Sequence, residues 1–135
     1  MSYEDEHNAL RTRLSDEWGS TTPVQYGNQD FTPPSGESWI RLNVINTTAE
    51  QASFGDATNY YRHPGSVVIS IFTPVLVGDK EALQLADQSA NIFRNWSHNA
   101  TKIRFLKPPS IKVIGEEKPW YQINVVCPFT RDTLF

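Results

Sequence analysis

Apolar and polar positions alternate along the chain with two different periods, and the period changes several times. Near the start, Leu10, Leu14 and Trp18 recur at every fourth position, with Tyr3 and His7 continuing the stripe backwards. That spacing predicts an amphipathic helix over about residues 4–18. Glu4, Asp5 and Glu6 open it and Arg11 and Arg13 follow, an order that suits the helix dipole, and Gly19 and Ser20 end it. The next clear pattern has period two. In Trp39–Asn46, Ile40, Leu42 and Val44 share one face while Arg41 and Asn43 share the other, the mark of a half-buried strand. Residues 66–77 are rich in β-branched side chains (Val67, Val68, Ile69, Ile71, Val75, Val77), and Pro74 makes the far end an edge or a break.

A second helix is predicted from Asp79, a plausible N-cap, to Trp96. Its stripe of Ala82, Leu85, Ala86, Ser89, Ile92, Phe93 and Trp96 has three- and four-residue spacing, and its small residues allow close approach to a sheet. Residues 97–99 close it. The last third returns to strands: a short one at 102–106, then 110–114 and 120–129 joined by a turn at 115–118. In the final strand Tyr121, Ile123, Val125, Cys127 and Phe129 share one face, and Trp120, Gln122, Asn124 and Val126 the other.

The order is therefore α, β, β, α, β, β, with one clear strand-helix-strand unit. It predicts an α+β fold: a mostly antiparallel sheet with an N-terminal helix and one longer helix packed on it. Two segments stand outside this pattern. Residues 19–38 hold three prolines and three glycines, with room for a short edge strand around Val24 and Tyr26. Residues 47–64 are polar and read as a large loop or long hairpin. A connection as long as 19–38 is uncommon inside a compact domain unless it has a job, and that segment is expected to be a functional or packing arm.

The length, 135 residues, suits one domain spanning 1–135 with a core that needs no staples. The net charge is -3, from 12 basic and 15 acidic side chains, and the densest basic stretch is only Lys102, Arg104 and Lys107. A duplex-binding protein carries a concentrated basic surface, so tight nucleic-acid binding is not expected. The opening residues lack the basic and apolar regions of a signal peptide, and no apolar run approaches the roughly 20 residues of a membrane helix. No membrane association is expected.

Candidate chemistry is sparse. His7, His63 and His98 lie in separate elements, without the paired ligands of a zinc site. Cys127, the only cysteine, sits in an apolar strand, where burial raises rather than lowers a thiol pKa. Phosphate-binding glycine loops and the nucleophile elbow are absent. No catalytic residue, metal or cofactor is expected. The aromatic content is more telling: four Trp, five Tyr and seven Phe. Such side chains, with Arg, are enriched where proteins meet. Tyr26, Phe31, Trp39, Tyr60, Tyr61 and Arg62 are the expected contacts with partners, set against the plainer reading that the rings cap their own core.

Several stretches together resemble the tail terminator, or tail completion, family of long-tailed bacteriophages. They are the helix carrying Arg11 to Trp18; Pro23-Val24-Gln25-Tyr26-Gly27-Asn28-Gln29-Asp30-Phe31-Thr32-Pro33-Pro34; Trp39-Ile40-Arg41-Leu42-Asn43-Val44; Gln51-Ala52-Ser53-Phe54-Gly55; the Tyr61-Arg62-His63-Pro64-Gly65 turn into a valine-rich strand; and the helix begun at Gly78. The C-terminal third is similar only as a general strand pattern. The resemblance implies a small α+β subunit of a homohexameric ring. That ring would cap the tail tube at the head-proximal end of the virion tail, stop its polymerisation and present a surface for head joining. It also implies assembly in the host cytoplasm, and as partners the tail tube protein and a head completion or connector protein. Phage DNA would pass through the lumen without specific binding, helped by an acidic balance of charge. Two other readings compete: a protein-binding adaptor or another head-tail connector component, which a mass measurement would separate from a ring, and a small enzyme, which would need a polar cavity with convergent titratable groups.

Overall fold

Glu6, Leu10, Leu14 and Trp18 form the buried stripe of helix α1, Tyr3–Trp18. The inward position one turn before Leu10 is thus Glu6, while Tyr3 is largely exposed and His7 only half-buried. The computed structural model describes residues 3–27, 30–51, 55, 60–75 and 79–134, without the side chains of Tyr60 and Leu134. Asn28 and Gln29, Phe54 with its neighbours 52–53, and the Val77-Gly78 approach to the second helix lie outside the described residues.

The strands are β1 Val24–Tyr26, β2 Trp39–Asn46, β3 Glu50–Gln51, β4 Tyr60–Pro74, β5 Ser97–His98, β6 Ile103–Arg104, β7 Ser110–Glu117 and β8 Trp120–Leu134. They make one sheet with the order β1-β2-β4-β8-β6-β5, in which β3 also pairs with β4 and β7 with β8. Every pairing is antiparallel except that of β1 with β2. The α+β reading therefore holds. Its long strands extend past their apolar cores, however: β4 begins at Tyr60, within the stretch expected to be a loop, and β8 runs to Leu134. The two protect each other, pairing continuously from Tyr60↔Leu134 to Pro74↔Trp120, so polar residues there gain ladder hydrogen bonds that local pattern does not reveal.

Both helices cover the same face. Rows of aligned residues cross the sheet beneath them: Ile40–Ile71–Ile123, Leu42–Ile69–Val125 and Val44–Val67–Cys127. All are buried apart from Val44, which is partly so. Helix α2, Lys80–Phe93, lays Ala82, Leu85, Ala86, Ser89, Ala90, Ile92 and Phe93 on this layer. It has 14 residues against 16 in α1, so the second helix is the shorter one. The chain turns extended at Arg94, and Trp96 sits beyond the helix against Phe93 and Phe105. Asp79 occupies the N-cap position without a side-chain capping bond. The strand expected over 102–106 shrinks to β6, and the residues expected to close the helix supply β5 instead.

Gly65 shows how closely the core is fitted. A Cβ there would lie 2.7 Å from the Phe129 ring and 2.8 Å from the Ile45 carbonyl oxygen, below ordinary contact. Only glycine lets Phe129 close over β4 at that point.

Candidate assembly surface

Among the described residues no helix covers the face of the sheet away from α1 and α2, and this face has two distinct ends. At one end, cross-strand register sets Trp39 opposite Phe72. Their rings stack with centroids 4.2 Å apart and planes 11° from parallel. Phe31, delivered by the proline-rich segment, lies on Trp39 at 5.1 Å, and Trp120 meets it edge-on at 6.0 Å. The Arg41 guanidinium sits 5.2 Å from the Phe72 ring centre. The rings shield one another well enough that Trp39 keeps only 5% exposure, although no helix covers this face. Burial comes at a cost here: Trp39 Nε1 and Arg41 Nε are buried donors without a hydrogen-bond partner among the described residues, and such donors forfeit their hydration.

The other end is charged. Arg62 and Asp132 face each other across β4 and β8. Arg62 Nε donates to Asp132 Oδ1 at 3.1 Å and Arg104 donates to Oδ2 at 2.8 Å, so one carboxylate holds two arginines. Asp132, through this hydrogen bond and its charge, raises the Arg62 pKa. On the helix side of the same end, Arg131 Nε donates to Glu6 Oε1 at 3.0 Å and Asn46 to Glu6 Oε2 at 2.8 Å. His63 contacts Thr133 and Tyr3 through its two ring nitrogens. Burial, with help from the nearby Arg131 charge, lowers its pKa and so favours the neutral ring.

These placements separate the residues singled out in the sequence. Phe31 and Trp39 come together, and Phe31 has an intramolecular partner. Arg62 lies at the opposite end with Asp132. Tyr26 is half-buried in β1 and packs against the core; Tyr61 is half-buried in β4, and the Tyr60 side chain lies outside the described residues. Phe72, Trp120, Arg104 and Asp132 complete the two ends but were not singled out. The alternation of β8, which sets Trp120 opposite in phase to Tyr121, carried the signal for one of them. Burial holds the Cys127 thiol at about 12, and among the described residues no group of three or more His, Cys, Asp or Glu is arranged to hold a metal. No described helix is long and apolar enough to cross a membrane.

A family model described as phage tail terminator protein matches residues 7–129. No curated protein matches the chain. A solved structure with 22% sequence identity superposes with a TM-score of 0.74, covering 97% of this chain and 96% of that one, which shows a shared fold.

Proposed function

The chain belongs to the phage tail terminator protein family, and from that premise we propose how its surface does the work. Its role is structural: it caps the tail tube and serves head joining, and it is not an enzyme. It assembles with other copies and contacts tail-tube and connector proteins. Within that role, residues 1–135 form one terminator domain, and six copies close a ring at the head-proximal end of the tail. Phage DNA passes through the lumen without specific binding, consistent with a net charge of -3.

The observation that carries the surface assignment is the pair of buried, unpartnered donors on the uncovered sheet face, Trp39 Nε1 and Arg41 Nε. Native proteins leave few such groups unsatisfied, and a shift of the covering rings on docking would open them to a carbonyl or carboxylate from a neighbouring subunit or the tube. Phe31 and Trp39 supply the aromatic anchors of this contact. Arg62, with Tyr60 and Tyr61 on the same strand, supplies the polar contact at the far end, and Tyr26 borders the β1 edge. In tail assembly without the protein, tubes should grow overlong, and adding it back should restore uniform length and head joining. Uniform tails in its absence would sink the capping role. Phe31→Ala and Arg41→Gln should weaken assembly while leaving the subunit folded; unchanged assembly would remove the open face from the contact. Solution mass tests the stoichiometry, since six chains of 15.4 kDa give about 90 kDa.

A further inference from the structure

Strand β7 is exposed along both of its faces, including Ile111 at 42%, Val113 at 56% and Ile114 at 47%. It pairs with β8 alone, so one long edge is bare among the described residues. Soluble proteins blunt such edges with charge, proline or cover, and here Lys112 is the only charge before the bulge at Val113/Gly115.

The ladder alternation identifies the bare groups. Ile40 N–H donates to the Pro23 carbonyl and Gly27 N–H to the Leu42 carbonyl. Even-numbered residues of β2 therefore turn their backbone groups toward β1, and odd-numbered ones toward β4. Followed through the registers of β4 and β8, the alternation turns Ser110 and Lys112 toward β8 and leaves the N–H and C=O of Ile111 and Val113 facing outward. On the opposite edge of the sheet, β1 pairs with β2 as far as Leu42 among the described residues. Val44 and Asn46 then face outward too, beside an Ile45 that is 53% exposed.

The geometry points to a contact in which the β7 edge of one copy pairs, antiparallel, with the Val44–Asn46 edge of β2 in the next copy. This rests on the reading that copies close into a ring, and the occupant is therefore a second copy of this chain. Three features select it. The two bare edges lie on opposite sides of one sheet, as a head-to-tail ring requires. In the antiparallel ladder β2 and β8 run one way and β4 and β7 the other, so rotation about an axis along the strands brings β2 beside β7 antiparallel with both helix layers on the same side. The charges also match. Glu116 and Glu117 follow the bulge of β7, while Arg11 lies in a recess with Gly27, Asn43 and Val44 at the β2 edge. Among the described residues no carboxylate pairs with Arg11. The contact would also cover Leu83 of α2. Glu81 and Gln88 reach Ser38, next to β2, and Thr21, past the end of α1, and mark one flank of the helix. Leu83, 38% exposed, stands roughly 140–200° around the helix from them.

The test uses two variants of the full chain. Ile111→Lys with Val113→Lys blocks the β7 edge at exposed positions. Val44→Pro removes an outward N–H from β2; Ile45→Lys takes its place if circular dichroism shows that the proline variant has lost its fold. The wild type should run as a closed multi-subunit particle and each variant alone as a monomer. Mixed together, the two variants should form a 1:1 dimer that grows no further, because one intact edge of each type remains. A monomeric wild type, wild-type mass in either variant, or a mixture that stays monomeric would overturn the edge contact. Tail length separates this from the capping role. If the wild type and the β7-blocked variant both restore uniform tails, the edge contact fails and capping stands; if the wild type has no effect, capping fails.

Discussion

Glu6 and Arg131 lie 125 positions apart and form a buried ion pair, with Arg131 Nε 3.0 Å from Glu6 Oε1 and side-chain exposures of 0% and 1%. The pair ties α1 to the last strand. Asn46 takes the other carboxylate oxygen at 2.8 Å, and the Tyr3 ring lies over the guanidinium at 5.1 Å. Both Glu6 carboxylate oxygens and the Arg131 Nε therefore have partners, and such pairing is the condition under which a buried ion pair is tolerated. Removing one partner leaves an uncompensated buried charge. Glu6→Ala or Arg131→Ala should lose about 3–5 kcal/mol of stability in denaturant unfolding. Replacing both with apolar residues of similar volume should recover much of that loss. A single variant as stable as the wild type would contradict the burial of the pair.

Phe93 closes the end of α2 with no exposed surface, against Trp96 and Phe105. Phe93→Ala should cost about 3–5 kcal/mol, the range for a cavity left by a buried ring. Phe93→Leu should cost less. An unchanged melting curve for the alanine variant would place this ring outside the core.

His63 makes stability depend on pH. Its folded pKa lies below the ordinary 6.5 because burial and the Arg131 charge disfavour the imidazolium. The unfolded chain therefore takes up the proton first. Stability is fully present above the unfolded value and is lost as pH falls from there through the folded value. Between about pH 7.5 and pH 5.5, the wild type should lose more stability than His63→Gln, which cannot titrate. Parallel pH profiles for the two proteins would exclude His63 as the source.

Cys127 is buried in β8, and desolvation pushes its thiol up to about 12. A thiol is a nucleophile only as thiolate. The native protein should resist alkylation near neutral pH and react at one site once unfolded. Labelling of the folded protein at the rate of a free cysteine would show that β8 opens.

Local period was enough to determine the second helix, the alternation of Trp39–Asn46 and of the final strand, and the antiparallel α+β class, while for Val24–Tyr26 it left no more than room for a short edge strand. These features repeat within a few residues, and a chain's own spacing records them. The family signal was also in the chain, as an ordered set of stretches that the match over residues 7–129 bears out. What the tertiary structure decided were meetings between distant residues. Glu6 reads as one of three acids opening a helix, yet Arg131 makes it a core residue. Phe31 reads as a ring held out on a loop, yet Trp39 gives it a platform. Tyr60 to Pro64 read as loop, yet pairing with the end of β8 makes them strand. Neither an ion pair across 125 positions nor the register of two long strands has a local period, because each depends on which surfaces meet when the sheet assembles.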